Sequence, residues 1–496
     1  MKKIILAVTV VFVILCALCS CGDKATISFD SNGGSEVESI SVTVGEKAKE
    51  PTSPQRDGYA FIGWYLDDEK WSFNGYTVTE DMTLKARWSK CLTFEENEDG
   101  TYTVKKFEPI TESVVIPSTY KGKDVTEIGA GAFCYDVAKA EYELLNVTLP
   151  STIKKVGASA FKNCRRIESI VLPEGLEKIE DEAFRGCISL VNINIPDSVE
   201  KIGKNVFYDC DDVEYSRRDG ISYIGKWIIE GDDDITSVTV WDGIKGIADN
   251  AFYDCKDLIT VSIPNGVTYI GRLSFTNCTS LKAVTLPSYV KEIGSGAFSY
   301  CSALEEIVLP TGITSIEGLF GGCGKLKKVT LPMGLEKIGQ DTFGQCVSLT
   351  EIEIPSTVKE IGAFAFSSSG LRKIALPEGV SLIDEFSFAY CSNLEEIKMP
   401  SSLKEIGESA FANSKSLKEI IVPRGVQTIG SSAFEGSGVT KIIIPNTVTS
   451  VGFFAVYSCE NLQYVGVEHS SLPSTWGDWI SFTLQDLVIW GYNIEE

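Results

Sequence analysis

From residue 111 onward the chain repeats itself, and that repetition leaves little choice of fold. Prolines stand at 150, 173, 196, 264, 287, 310, 332, 355, 377, 400, 423 and 445, and apart from one 68-residue step their spacing is 22 or 23. Within the long step Trp241 takes the proline's place, 23 residues before Pro264. A fixed period of this size denotes a solenoid, because each unit has too little core of its own and buries its apolar face only by stacking on its neighbours. One unit reads L-x-x-I-x-L-P, then V-x-x-I-G, then A-F-x-x-C, with conservative replacements, as in Leu190–Cys210. The first segment turns apolar side chains inward and the intervening ones outward, as in a half-buried strand. Proline ends that strand by removing a donor, and glycine frees the corner that follows. The spacing therefore predicts parallel strands stacked about 4.8 Å apart, with the phenylalanine ring packed between coils.

Composition excludes several functions. Asp and Glu number 68 against 45 Lys and Arg, a formal net charge of −23. Nucleic acid and anionic membrane surfaces both call for a basic footprint, so neither is expected as the main partner. The single histidine, His469, excludes chemistry built on paired histidines. No catalytic motif, phosphate loop or metal-ligand spacing occurs, so the chain reads as a non-enzyme with no cofactor and no metal. The acidic triplet Asp232–Asp234 reads as a solvated turn, with weak cation binding as the alternative.

Fifteen cysteines need an explanation. Ten lie three residues after the ring position, at 164, 187, 210, 255, 278, 301, 323, 346, 391 and 459, and Ser369, Ser414 and Ser437 fill the same slot in three other coils. Cys391 falls between two serine coils and Cys459 follows one, so a ladder of disulfides does not fit. The slot calls for a small, weakly polar, buried side chain, which free cysteine supplies. Cys91 and Cys134 have no assigned role.

The repeated L-x-x-I-x-L-P…I-G-x-x-A-F-x-x-C pattern closely resembles the BspA-like class of leucine-rich repeats, from about Ile110 to Val467. The resemblance implies a bacterial surface protein that adheres to host or neighbouring-cell macromolecules, with no catalytic residues to carry over. Ahead of it, Phe29-Asp-Ser-Asn-Gly-Gly34, Gly58-Tyr-Ala-Phe-Ile-Gly-Trp-Tyr65 and Thr83-Leu-Lys-Ala-Arg-Trp88 occur in that order and strongly resemble the internalin-type B repeat, a β-grasp-like module. Phe61, Trp64 and Trp88 are expected to form its core, and the module reads as a spacer or adhesion unit. At the start, Lys2-Lys3 precedes an apolar run from Ile4 to Leu18, as in a secretory signal. Leu18-Cys-Ser-Cys-Gly22 resembles a bacterial lipobox, which implies cleavage before Cys21 and acylation of its thiol. An ordinary signal peptide without lipid is the alternative.

The expected fold is mostly β with short helical turns: a leucine-rich-repeat solenoid of parallel strands preceded by a small β-grasp-like domain. The expected divisions are a signal at 1–21, the B repeat at 22–90, a hairpin cap at 91–110, the solenoid at 111–467 and an aromatic cap at 468–496. A protruding hairpin is expected near 219–234.

Three surfaces are candidates for binding. On the strand face, charges at like positions alternate in sign between the coils that start at Leu304 and Leu394, which predicts cross-strand ion pairs and a self-neutralised surface. Val171, Val308, Ala375, Ile421 and Ile443 are apolar outward positions on that face. Tyr223 and Trp227 mark the hairpin, where packing onto the solenoid is the competing and favoured reading, and Trp476 and Trp479 mark the tail, where capping the end of the core is favoured over a ligand patch. The first functional expectation is an extracytoplasmic, lipid-anchored protein of the bacterial cell surface whose solenoid mediates adhesion or protein–protein interaction. Its partner would be a host or neighbouring-cell surface protein or extracellular matrix. The alternative is glycan binding through the aromatics of the hairpin and tail.

Overall fold

The computed structural model describes residues 23–108, 112–134, 144–480 and 482–493. The signal segment and Cys21 lie outside the described residues. The chain divides into two compact units, one running to Val199 with Val206–Glu214, the other formed by Glu200–Asn205 and everything from Tyr215.

The first unit opens with the small module. Its strand Lys24–Asp30 pairs antiparallel with Ile40–Thr43 and parallel with Met82–Ser89, which pairs antiparallel with Ala60–Leu66. Phe61 and Trp64 are buried, and Phe61 meets both Trp64 and Trp88 with ring centroids 5.5 Å apart. The module does not hang from a linker. Phe61 bridges to Val115, and Ser113–Val115 pairs with Asn146–Thr148 of the next coil, so one sheet runs from the module into the repeats. The Gln55 side chain accepts from Ser118 N at 3.0 Å, and Gly58 N donates to Thr119 O at 3.1 Å. An open strand edge is a row of unmet donors and acceptors, and here the first coil meets some of them. The hairpin Leu92–Glu96/Tyr102–Phe107 turns at Asp99-Gly100 and starts a second sheet, since Tyr102–Phe107 pairs parallel with Lys123–Ile128.

Most coils carry a strand of about three residues on one face and a two-residue strand on another. The Ala-Phe corners are not helical; the only helix among the described residues is a short 3-10 segment, Phe482–Leu487. Each corner is a run of hydrogen-bonded turns in which positive φ recurs two residues before and two after the ring, as at Ser159 (55°) and Asn163 (62°) around Phe161. The backbone alternation aims every second N–H at the next coil. Ser159, Phe161 and Asn163 donate to the carbonyls of Asp181, Ala183 and Arg185, each at 2.8 Å. Left-handed backbone costs about 1–2 kcal/mol per residue, which these inter-coil bonds offset.

The rings stack. Centroids lie 5.0 to 5.9 Å apart from Phe133 to Phe207 in the first unit, and 5.1 to 6.3 Å apart from Phe252 to Phe434 in the second. The thiols follow them, and all twelve described cysteines are free. Nine ring-slot thiols donate to the carbonyl of the phenylalanine one coil earlier, at 3.0 to 3.2 Å. Ser414 Oγ makes the same bond to Phe388 O at 2.7 Å. Cys255 follows the coil that lacks a ring and donates to Asp232 O at 3.6 Å instead. Ser369 and Ser437 instead meet the sulfur of the next coil's cysteine, Cys391 at 3.4 Å and Cys459 at 3.6 Å. The slot thus takes a small side chain able to hydrogen-bond, which explains the interchange of Cys and Ser. Burial raises the Cys391 thiol to about 11 and the Cys323 thiol to about 12, so both stay protonated and inert at neutral pH.

The expected hairpin near 219–234 is present, and one of its strands is part of the sheet of the coils. Ile221–Ile224 and Trp227–Gly231 form an antiparallel pair, and Trp227–Gly231 then joins Gly246–Ile247 in the parallel sheet of the coils. Trp227 is 1% exposed and packs on Tyr269. A Cβ on Gly246 would stand 2.4 Å from the Trp227 ring, so the neighbouring coil makes room for the indole with a glycine. The tail closes the other end. Phe454 N and Val456 N, which would face a further coil, donate to the carbonyls of Asp478 and Trp479 at 2.8 and 2.7 Å.

Candidate interaction face

The three-residue strands carry an exposed face, because their central residue points inward and the flanking two point out. Val308 is 64% exposed and Ile421 57%, and Ala375 is exposed between them. Val171 holds the same position in the first unit and is also exposed. Ile443 is different: it is buried. The strand Tyr464–Val467 pairs with Lys441–Ile444, and a Cβ on Gly466 would stand 2.9 Å from both the Ile443 side chain and the Tyr492 ring. The last coil's strand, with Tyr492 of the tail against its Gly466, closes over the position that the repeat frame alone leaves open.

Two other groups of aromatic candidates are withdrawn from solvent. Trp227 lies within the sheet, as above. Trp476 and Trp479 are buried, meeting edge to face at 5.2 Å, with His469 against Trp476 at 5.6 Å. They close the end of the core and present no ring face to a sugar. His469 Nε2 lies 2.9 Å from Val448 O, a structural contact. Tyr223 is half-buried and leans on Trp241. Their burial fits the packing and capping readings of these aromatics rather than the ligand-binding one.

Charges on the face pair across strands in part. Register sets Glu306 beside Lys328, Lys373 beside Glu396 and Glu419 beside Lys441. Ion pairs form at Lys327–Glu305 (2.8 Å), Lys373–Glu396 (3.2 Å) and Lys441–Glu419 (2.6 Å). The Lys327 hydrogen bond holds the Glu305 carboxyl below its ordinary range, and the Glu419 hydrogen bond holds the Lys441 ammonium above its own. All are solvent-exposed, so each contributes little to stability.

The expected pairing is incomplete, most visibly in the middle of the face. Residues Thr350–Ile354 form no strand, and the sheet of this face is broken there between Lys328–Thr330 and Lys373–Ala375. Ile352 and Ile354 are only half-buried, whereas the matching Val329 and Ile374 are buried. A groove of about 1010 Å³ results, with Met333 exposed at its edge and Ala375 within it. Among the described residues its Lys328, Glu351, Glu353 and Lys398 make no ion pair. No charge pattern flagged this site, because the sequence shows which residues face outward and not which strand leaves the ladder.

Among the described residues no three His, Cys, Asp or Glu side chains are placed to hold a metal, and no helix is long and apolar enough to cross a membrane.

Stacked coils with a buried ring-and-thiol spine and an exposed strand face define a leucine-rich-repeat solenoid. Family comparison gives the particular class: the model of the BspA type leucine rich repeat region matches residues 126–259, 245–339, 317–438 and 405–475, and the chain belongs to that family. The Listeria-Bacteroides repeat domain matches residues 26–87. Internalin H of Listeria monocytogenes is 33% identical over 142 residues, covering 26% of this chain and 25% of that protein. A protein of Evansella cellulosilytica with a provisional membrane-protein name is 46% identical over 66 residues, 13% of this chain and 10% of that one. The chain thus spans a quarter or less of the curated relatives it matches. Among solved structures, a leucine-rich repeat protein from Bacteroides ovatus is 25% identical, with 80% of this chain and 98% of that chain covered and a TM-score of 0.30. A leucine rich cell surface protein from Faecalibacterium prausnitzii is 24% identical, covering 78% and 95%, with a TM-score of 0.28.

Proposed function

We propose that this chain is a non-catalytic cell-surface binding protein that engages a protein partner on its exposed strand face. The observation that carries this reading is the groove beside Ala375, where unpaired Lys328, Glu351, Glu353 and Lys398 surround a half-buried apolar floor. Unpaired charges at the rim of an apolar patch give a partner both register and contact area. The exposed Val308 and Ile421 extend the apolar column on either side. Membership of a surface-repeat family and similarity to an internalin support a macromolecular partner: a host or neighbouring-cell surface protein, or extracellular matrix. Acylation of Cys21 would hold the chain at the outer face of a bacterial membrane, with the module between the lipid and the repeats.

Binding of the purified chain to a panel of matrix proteins and a glycan array, with wild type beside Ala375→Arg, tests the reading. Saturable protein binding that is lost in Ala375→Arg, with the fold retained, is the expected result. Glycan binding that is indifferent to that substitution overturns it.

A further inference from the structure

The N-terminal module has a concavity of its own, about 680 Å³ in volume, and its lining includes Asp67, Trp71, Tyr76, Glu80 and Asp81. Trp71 and Tyr76 meet at 5.2 Å and a 48° tilt, and Tyr76 is 47% exposed. The three carboxylate residues are exposed, and no lysine or arginine is part of the lining. Lys47, whose Nζ reaches this loop, donates to Asn74 O at 2.6 Å. Asp81 accepts Thr26 N with one carboxylate oxygen, at 2.7 Å.

Other surface aromatics of the module carry their own cation. Arg56 stands over Tyr59 at 4.1 Å, Lys90 over the same ring at 5.1 Å, and Arg87 over Tyr65 at 4.2 Å. Among the described residues none stands over Trp71 or Tyr76. An aromatic pair ringed by carboxylates attracts a cation twice, through the ring quadrupole and through charge.

We propose that the concavity of Trp71, Tyr76, Asp67, Glu80 and Asp81 is a binding site for a basic side chain, arginine or lysine, of a partner protein. The site is separate from the strand-face groove and stands or falls independently of it. A neutral sugar could stack on the same rings and donate hydroxyl hydrogen bonds to the carboxylates, but it carries no charge, so its binding would not respond to salt as that of a basic side chain does.

The test uses the full chain labelled with 5-fluorotryptophan and followed by fluorine NMR, with the Trp71 resonance assigned by Trp71→Phe. N-acetyl-arginine amide and N-acetyl-lysine amide are titrated beside neutral N-acetyl-norleucine amide and methyl glucoside. The Trp71 resonance shifts saturably with the two basic probes and not with the neutral ones. Added salt weakens the response. Glu80→Gln weakens binding by about three- to tenfold, and Tyr76→Ala by at least as much, while the remaining tryptophan resonances stay in place. Where Tyr76→Ala disturbs those resonances, the exposed Glu80→Gln decides alone. No response to either basic probe, an equal response to norleucine, or a response to the glucoside alone overturns the proposal.

Discussion

Substitution of Cys346 separates a donor from a mere filler. The side chain is fully buried, and Sγ lies 3.2 Å from Phe320 O. The same carbonyl also accepts Cys323 N at 3.0 Å, so Cys346→Ala leaves it with one bond instead of none. Losing the thiol bond costs about 0.5–1.5 kcal/mol, and removing a buried sulfur costs about 1 kcal/mol more in burial and packing. The expected total is about 1.5–2.5 kcal/mol. Cys346→Ser keeps a donor in a slot that Ser414 fills with a 2.7 Å bond, so its cost stays under about 1 kcal/mol. Urea unfolding under reducing conditions, followed by far-UV circular dichroism, gives both values from the shift in midpoint at constant slope. Alanine must cost more than serine. If the two variants are equally stable, or alanine is the more stable, the hydrogen-bond account of the ladder is wrong and the slot selects for size alone.

Further outcomes follow from the same contacts. Phe343→Ala, between Phe320 at 5.7 Å and Phe366 at 5.3 Å, should lose about 3–5 kcal/mol in the same unfolding assay. Gly246→Ala should cost about 1–3 kcal/mol through its clash with Trp227, and much of that loss should return in a Trp227→Leu background, as a double-mutant cycle would measure. Raised thiol pKa values make stability fall in alkali: the thiols of the unfolded chain ionise from about pH 9 while Cys391 holds its proton to about 11. Its contribution is therefore complete below pH 9 and is lost as pH rises toward 11, at up to about 1.4 kcal/mol per unit. Cys391→Ser should flatten the fall of the urea midpoint across that window.

Periodicity made the architecture legible because one stacking geometry must satisfy every coil. The proline, the corner glycine and the ring each answer a local steric demand that recurs, so the residue pattern is the fold. The Cys/Ser slot was legible as small and buried. Its donor role was not, since the acceptor belongs to the coil before. Departures from the frame were harder. Local alternation gives the hairpin and favours packing of Trp227 onto the solenoid, but not where the indole goes: Gly246, nineteen residues on, leaves the space that takes it into the sheet. Ile443 fits the exposed column until the last coil's strand, with Tyr492 of the tail, closes over it. Glu351-Ile-Glu-Ile354 alternates as well as any strand, and its absence from the ladder shows only in three dimensions.

The central claim is that the strand-face groove binds protein. Saturable binding of the purified chain to intact host or neighbouring-cell surfaces, measured before and after protease and glycosidase treatment of those cells, tests it most directly. The account predicts binding that protease abolishes, glycosidase spares, and Ala375→Arg in the chain eliminates. Binding that survives protease and Ala375→Arg but disappears with glycosidase contradicts it.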